Sequence, residues 1–174
     1  MKASERSKAA LASLLRGLDR VGLIGHAKGH CDIPCGIYDP GPALIAAVSV
    51  VRLMDIMHEG KSEDAVALAN LHARCALRKE EEAEKVKQEI RVIWGDYFKA
   101  PLIEKHPEVH GLVHSIMQKA SACKQDVHRD DGLALVELVN RFAELFWQTK
   151  GIKTAKGTCP YPPALTVVYP VLEA

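Results

Sequence analysis

The chain has 174 residues, 48% hydrophobic and 26% charged, with a formal net charge of +1. That length and apolar content suit one domain with its own core and exclude a disordered chain, and the 5% aromatic content argues against a Tyr- and Trp-rich β-sandwich. The near-neutral charge gives no footprint for nucleic acid, and no unbroken run of about eighteen apolar residues is present to span a membrane.

The neutral total hides an asymmetry. Residues 1–29 carry six Lys or Arg against Glu5 and Asp19, so a leader of +4 precedes a body of −3. Ala10, Leu11, Leu14, Leu15 and Leu18 recur at helical spacing, and Gly22 and Gly25 punctuate the end. Such a short basic amphipathic helix fits a transit peptide, a membrane-surface helix or a pro-segment. It lacks the continuous apolar stretch of a secretory signal.

A loop follows. Residues 30–42 hold three prolines and two glycines, which exclude a regular helix or a central strand. Within it, His30, Cys31 and Cys35 bring two thiols and an imidazole together, with Pro34 and Gly36 supplying a turn. Two thiolates plus nitrogen select soft or borderline metals such as Zn, Cu, Ni or Fe. A structural zinc site needs a fourth ligand, and no second Cys pair is present. On spacing alone, a disulfide or a redox pair fits equally well. The five cysteines (Cys31, Cys35, Cys75, Cys123, Cys159) do not form the pattern of a disulfide framework.

Four amphipathic helices are predicted next. The first spans Ala43 to His58, with Val50, Leu53, Met54 and Met57 on one stripe and Gly60 as its stop. Ser62, Glu63 and Asp64 mark the next N-terminus, and the second helix runs from about Glu63 to about Phe98, ended by Pro101. Its charged middle, Arg78 to Lys87, reads as a solvated face or a polar bundle seam. The third begins near Pro107, with Val109, Leu112, Val113 and Ile116 apolar. His106, His110 and His114 there share i, i+4 spacing that suits an adventitious metal site. The fourth runs from about Asp130 to Lys150, closed by Gly151. Short connections between four such helices predict an all-α antiparallel four-helix bundle over 43–150. In 151–174, prolines exclude helix, and Leu165 to Tyr169 suits a short strand or an extended arm.

The string His30-Cys31-Asp32-Ile33-Pro34-Cys35-Gly36-Ile37-Tyr38-Asp39-Pro40 resembles the nickel hook of the nickel-dependent superoxide dismutase family, H-C-D-x-P-C-G-x-Y. Further segments resemble the same family: Trp94 to Pro101, Glu104 to His110, and Phe146-Trp147-Gln148-Thr149-Lys150. The resemblance implies a pro-segment, residues 1–29, removed by a protease that cuts between Gly29 and His30. It implies a nickel ion held by the Cys31 and Cys35 thiolates, the freed His30 α-amine and the Cys31 amide nitrogen. The His30 imidazole is then axial in the oxidised state. Superoxide would be converted to O2 and H2O2 by cycling between Ni(II) and Ni(III). Tyr38 would gate the open face, Tyr97 would back it, Asp32 would fix the hook, and Pro34 and Gly36 would shape its turn.

One departure stands out. The family steers the axial histidine with a glutamate in the first helix and an arginine in the second. Those positions fall on Ala46 and Glu82 here. Glu82 is therefore the expected replacement for the missing carboxylate, since a ligating imidazole needs a partner on its other nitrogen. The resemblance also implies a homohexamer. Free thiolates and the lack of a secretory signal point to the cytoplasm, with no nucleic acid or membrane as partner. Two rival readings are a nickel- or copper-binding bundle without turnover, and a helical interaction protein with a Cys31–Cys35 disulfide.

Overall fold

The computed structural model describes residues 36–172. Among them are five helices and a two-stranded sheet: α1 (Gly41–Glu59), α2 (Ala65–Val92), α3 (Ala100–Lys105), α4 (Val109–Gln125), α5 (Arg129–Thr149), β1 (Thr154–Thr158) and β2 (Thr166–Pro170). The four long helices lie where spacing predicts them. α1 packs on α2 and α5, and α4 packs on the same two. Their inward stripes form one core, with Met54, Ile90, Ile116, Phe142 and Phe146 among its largest fully buried side chains.

Local chemistry sets the boundaries. Asp64 caps α2, its Oδ1 accepting from Val66 N at 2.9 Å and Ala67 N at 3.3 Å. Gly151 takes φ +70, and the amides of Gly151 and Ile152 donate back to Gln148 O and Trp147 O, each at 3.0 Å. That paired capping ends α5 and turns the chain toward the hairpin. Where α1 crosses α5, Gly132 leaves no room for a side chain: a Cβ there would lie 2.9 Å from Val51 Cγ2. α1 is long and apolar enough to cross a membrane by length and composition alone. Its apolar face is spent on the bundle, burying Ala43, Ala46, Ala47, Val50, Val51 and Met54.

The all-α expectation needs two corrections. First, Pro101 does not merely end α2. A proline's fixed φ suits a first helical turn, and it opens the short extra helix α3. Second, the tail is an antiparallel hairpin pairing Thr154 with Pro170 and Thr158 with Thr166. β1 (Thr-Ala-Lys-Gly-Thr) has no apolar alternation to announce it; it is specified by pairing with β2, whose Val167 and Val168 are buried.

The charged middle of α2 is a polar seam. Lys79 lies on the buried stripe with Cys75, Ala83, Val86 and Ile90. Its ammonium donates to the carbonyls of Cys123, of Lys124 (3.0 Å) and of Asp126 (2.7 Å), satisfying the end of α4. Burial pulls its pKa below the ordinary lysine value. Lys124 reaches back to Glu84 at 2.9 Å, and that hydrogen bond holds the Glu84 carboxyl below its usual range.

Candidate metal centre

His30, Cys31, Asp32, Pro34 and Cys35, with Gly29 and the whole leader, lie outside the described residues. What the structure shows is the platform from which the hook departs. Gly36 is exposed and has φ +70, the left-handed region where glycine carries no Cβ penalty. It is the turn residue the motif requires. Asp39 then anchors the start of α1, its Oδ1 accepting from Gly41 N at 2.7 Å.

Between these two residues Tyr38 turns back onto the bundle. Its ring meets Tyr97 with centroids 5.8 Å apart and planes tilted by 51°. The structure thus brings together the two tyrosines picked out from separate motifs. Tyr97 sits at the end of a π-helical turn, Ile93–Tyr97, that prolongs α2. The wider turn, closed by Phe98 N donating to Ile93 O at 3.3 Å, gives Tyr97 and Phe98 their inward aim. Tyr97 packs on Phe146 at 5.0 Å and Phe98 at 5.3 Å.

The hydrogen-bond direction at Tyr97 follows from counting protons. The Thr149 hydroxyl donates to Phe146 O at 2.6 Å, which uses its only proton. The 2.7 Å contact between Tyr97 and Thr149 must then run from Tyr97 O–H to Thr149 Oγ1. The Tyr97 oxygen is left as an acceptor, suited to orient a hydroxyl such as that of Tyr38. Beside it, Lys150 Nζ lies 4.8 Å from the Tyr97 ring centroid and 5.2 Å from that of Phe146. Thr149 and Lys150 had no assigned role in the sequence reading, although they stand in the quoted F-W-Q-T-K segment.

Trp94 Nε1 donates to His110 Nδ1 at 3.1 Å, with the rings edge-to-face at 5.7 Å. This joins the second and third motif segments. It also commits His110 to a structural bond. His106 pairs with Glu108 at 3.7 Å and His114 with Gln118 at 3.5 Å, and among the described residues no three His, Cys, Asp or Glu side chains converge on a metal position. His106 caps the end of α3 and only His110 and His114 lie on α4, so the i, i+4 spacing assembles no such cluster among the described residues.

Ala46 is fully buried in the core. Glu82 is half-buried on α2, with Oε1 3.5 Å from Arg78 Nη2. It faces a groove between α1 and α2 of about 470 Å³, shared with Ile45, Ser49 and Arg52 and walled by Tyr161. Cys75, Cys123 and Cys159 are free and buried, and burial pushes the Cys123 thiol up to about 11.

Comparison with known proteins bears on this geometry directly. A sequence model of the family described as nickel-containing superoxide dismutase matches residues 25–150. The chain is 36% identical over 123 residues to the superoxide dismutase [Ni] of Streptomyces coelicolor, spanning 71% of this chain and 89% of the relative. It is 37% identical over 125 residues to that of Streptomyces seoulensis, with the same shares covered. Among solved structures, a native nickel superoxide dismutase superposes with a TM-score of 0.63 at 36% identity, covering 70% of this chain and 99% of that one. An apo form superposes at 0.60 and 32% identity, covering 66% and 98%.

Proposed function

The chain belongs to the nickel-containing superoxide dismutase family, and on that premise we propose that its working form begins at His30 and holds nickel through the hook, residues 30–42. Its activity is nickel-dependent superoxide dismutation, so the readings as a bundle without turnover or a disulfide-closed interaction protein give way. The observation that carries the site proposal is the described part of the hook: Gly36 in the left-handed turn, with Tyr38 packed against Tyr97.

The donor set fits the metal. Cys31 and Cys35 would offer thiolates; cleavage after Gly29 would free the His30 α-amine, and the Cys31 amide nitrogen would complete a donor set of a kind that suits Ni(II). Nickel in this set supplies the one-electron alternation that superoxide dismutation needs. The remaining work belongs to the protein. Asp32 fixes the hook through backbone hydrogen bonds, and Pro34 shapes its turn. Tyr38, held by Tyr97, stands at the entrance and offers a hydroxyl to the incoming anion. Glu82 accepts the other N–H of the His30 imidazole in place of the carboxylate lost at Ala46. Lys150, beside Tyr97, contributes positive potential where superoxide approaches.

Residues 1–29 are read as a pro-segment. The mature chain is read as a homohexamer in the cytoplasm, supported by exposed Val66 and Leu77 on α2 and by free thiols at Cys75, Cys123 and Cys159. N-terminal sequencing of the protein matured in its own host, with nickel quantification, tests the site. A start at His30 with one nickel per chain is expected. A mature start elsewhere overturns the proposal.

A further inference from the structure

We infer that the C-terminal hairpin and the start of α1 enclose a binding site for a small quaternary ammonium compound, its head group held among the rings of Trp147, Tyr161 and Tyr169 with the carboxylate of Asp39 at the rim.

The family match ends at residue 150, whereas the hairpin begins at Thr154. The hairpin is nevertheless firmly held. The buried Asn140 of α5 donates to Thr166 O at 2.9 Å and accepts from Val168 N at 3.0 Å. Lys156 pairs with Glu144 of α5 at 3.3 Å, and Cys159, Val167 and Val168 are buried. The bundle thus fixes where the strands and their connecting turn lie.

Between β2 and the first turn of α1 a cleft of about 240 Å³ remains open, floored by Leu44 and Val168. Three aromatic side chains from three different segments line it. Trp147 reaches it from α5, almost wholly buried and packed edge-to-face on Phe146 at 5.0 Å. Tyr169 comes from β2, with its ring beside Gly157, where an added Cβ would meet Tyr169 Cε2 at 3.5 Å. Tyr161 comes from the turn between the strands. Burial, then the neighbouring Tyr169, holds its phenol above the ordinary pKa, as expected of two phenols set close together. Tyr161 and Tyr169 are still 42% and 40% exposed, so ring surface remains for a ligand to cover.

Charge selects the ligand. Asp39 is the single charged side chain among the described residues that line the cleft. Its Oδ1 accepts from Gly41 N at 2.7 Å, and the carboxylate joins no ion pair with the described residues. An anion would meet that carboxylate and the negative faces of the rings, whereas a cation is attracted by both. A quaternary ammonium gains most, because it brings no N–H to be left unsatisfied over an apolar floor. Size agrees. The cleft is smaller than the roughly 300–1,000 Å³ of sites for drug-sized ligands, so it suits a head group with a short tail.

The full chain is titrated with choline by isothermal calorimetry, beside the uncharged isostere 3,3-dimethylbutan-1-ol. Choline is expected to saturate one site per chain with a Kd at or below about 1 mM, and the isostere to bind at least about tenfold more weakly. Asp39→Asn keeps an oxygen for Gly41 N and loses only the charge; Tyr169→Leu removes a ring. Each should weaken choline binding about three- to thirtyfold, while Tyr169→Phe stays close to wild type because it keeps the ring. Should Tyr169→Leu lower the thermal midpoint, Tyr161→Leu in the turn reads the same loss. No saturable binding of choline overturns the inference. So do equal affinities for choline and its isostere, which make the cleft a plain apolar pocket. Wild-type affinity in Asp39→Asn and the ring variants overturns it too, since the cation then binds elsewhere.

Discussion

A single proton sets the hydrogen-bond direction at Tyr97. Because Thr149 commits its hydroxyl hydrogen to Phe146 O, Tyr97 has to donate to Thr149, and its own oxygen keeps its lone pairs as an acceptor. Lys150 lies against the same ring. Superoxide is an anion, so Lys150→Glu should lower its second-order rate constant by about two- to tenfold at low salt, with the deficit shrinking as salt rises. Pulse radiolysis over a salt series measures this; a variant indistinguishable from wild type removes the steering role. The cysteines divide the same way. Cys75, Cys123 and Cys159 are buried, and the raised Cys123 pKa keeps that thiol protonated at neutral pH. In metal-free protein a thiol reagent should therefore modify Cys75, Cys123 and Cys159 only on unfolding. Rapid loss of any of these three thiols contradicts the burial. Cys31→Ser should abolish nickel-dependent turnover while leaving the helical circular dichroism unchanged.

At the scale of elements, periodicity found the four long helices because each buries one continuous stripe. It described the middle of α2 only by its charge. Lys79 belongs to the buried stripe, and nothing local marks it: its partners are carbonyls at the end of α4, more than forty residues away. Lys79→Met should cost about 1–3 kcal/mol, since buried carbonyls lose their donor. Urea unfolding measures it, and no change in midpoint would show that water replaces the ammonium. β1 was missed for a related reason, since its pattern carries no alternation and its pairing comes from β2. The prediction that follows concerns Asn140, whose two hydrogen bonds hold β2 to α5. Asn140→Ala should lower stability by about 1–3 kcal/mol and expose Cys159 to alkylation. If Cys159 stays protected, the apolar contacts of Val167 and Val168 suffice to hold the hairpin. The motif string was legible through its resemblance to the family hook, since spacing alone left a disulfide or redox pair open; the π turn that aims Tyr97 was not, since a one-residue widening of a helix leaves no compositional mark.

For the whole molecule, the +1 net charge is the sum of two parts with different fates in this account: a basic leader that is removed and a body of −3 that works. Maturation is then part of the chemistry. With Gly29 in place the nitrogen of His30 is an amide, and the α-amine donor does not exist. The bundle supplies rigidity, and in the proposed function the Tyr38–Tyr97 pair supplies the entrance. The most direct measurement follows superoxide decay against bound nickel for two forms of the chain, one beginning at His30 and one retaining Gly29. The account predicts decay proportional to nickel in the first form and none above background in the second. Equal turnover by the form that keeps Gly29 would contradict it.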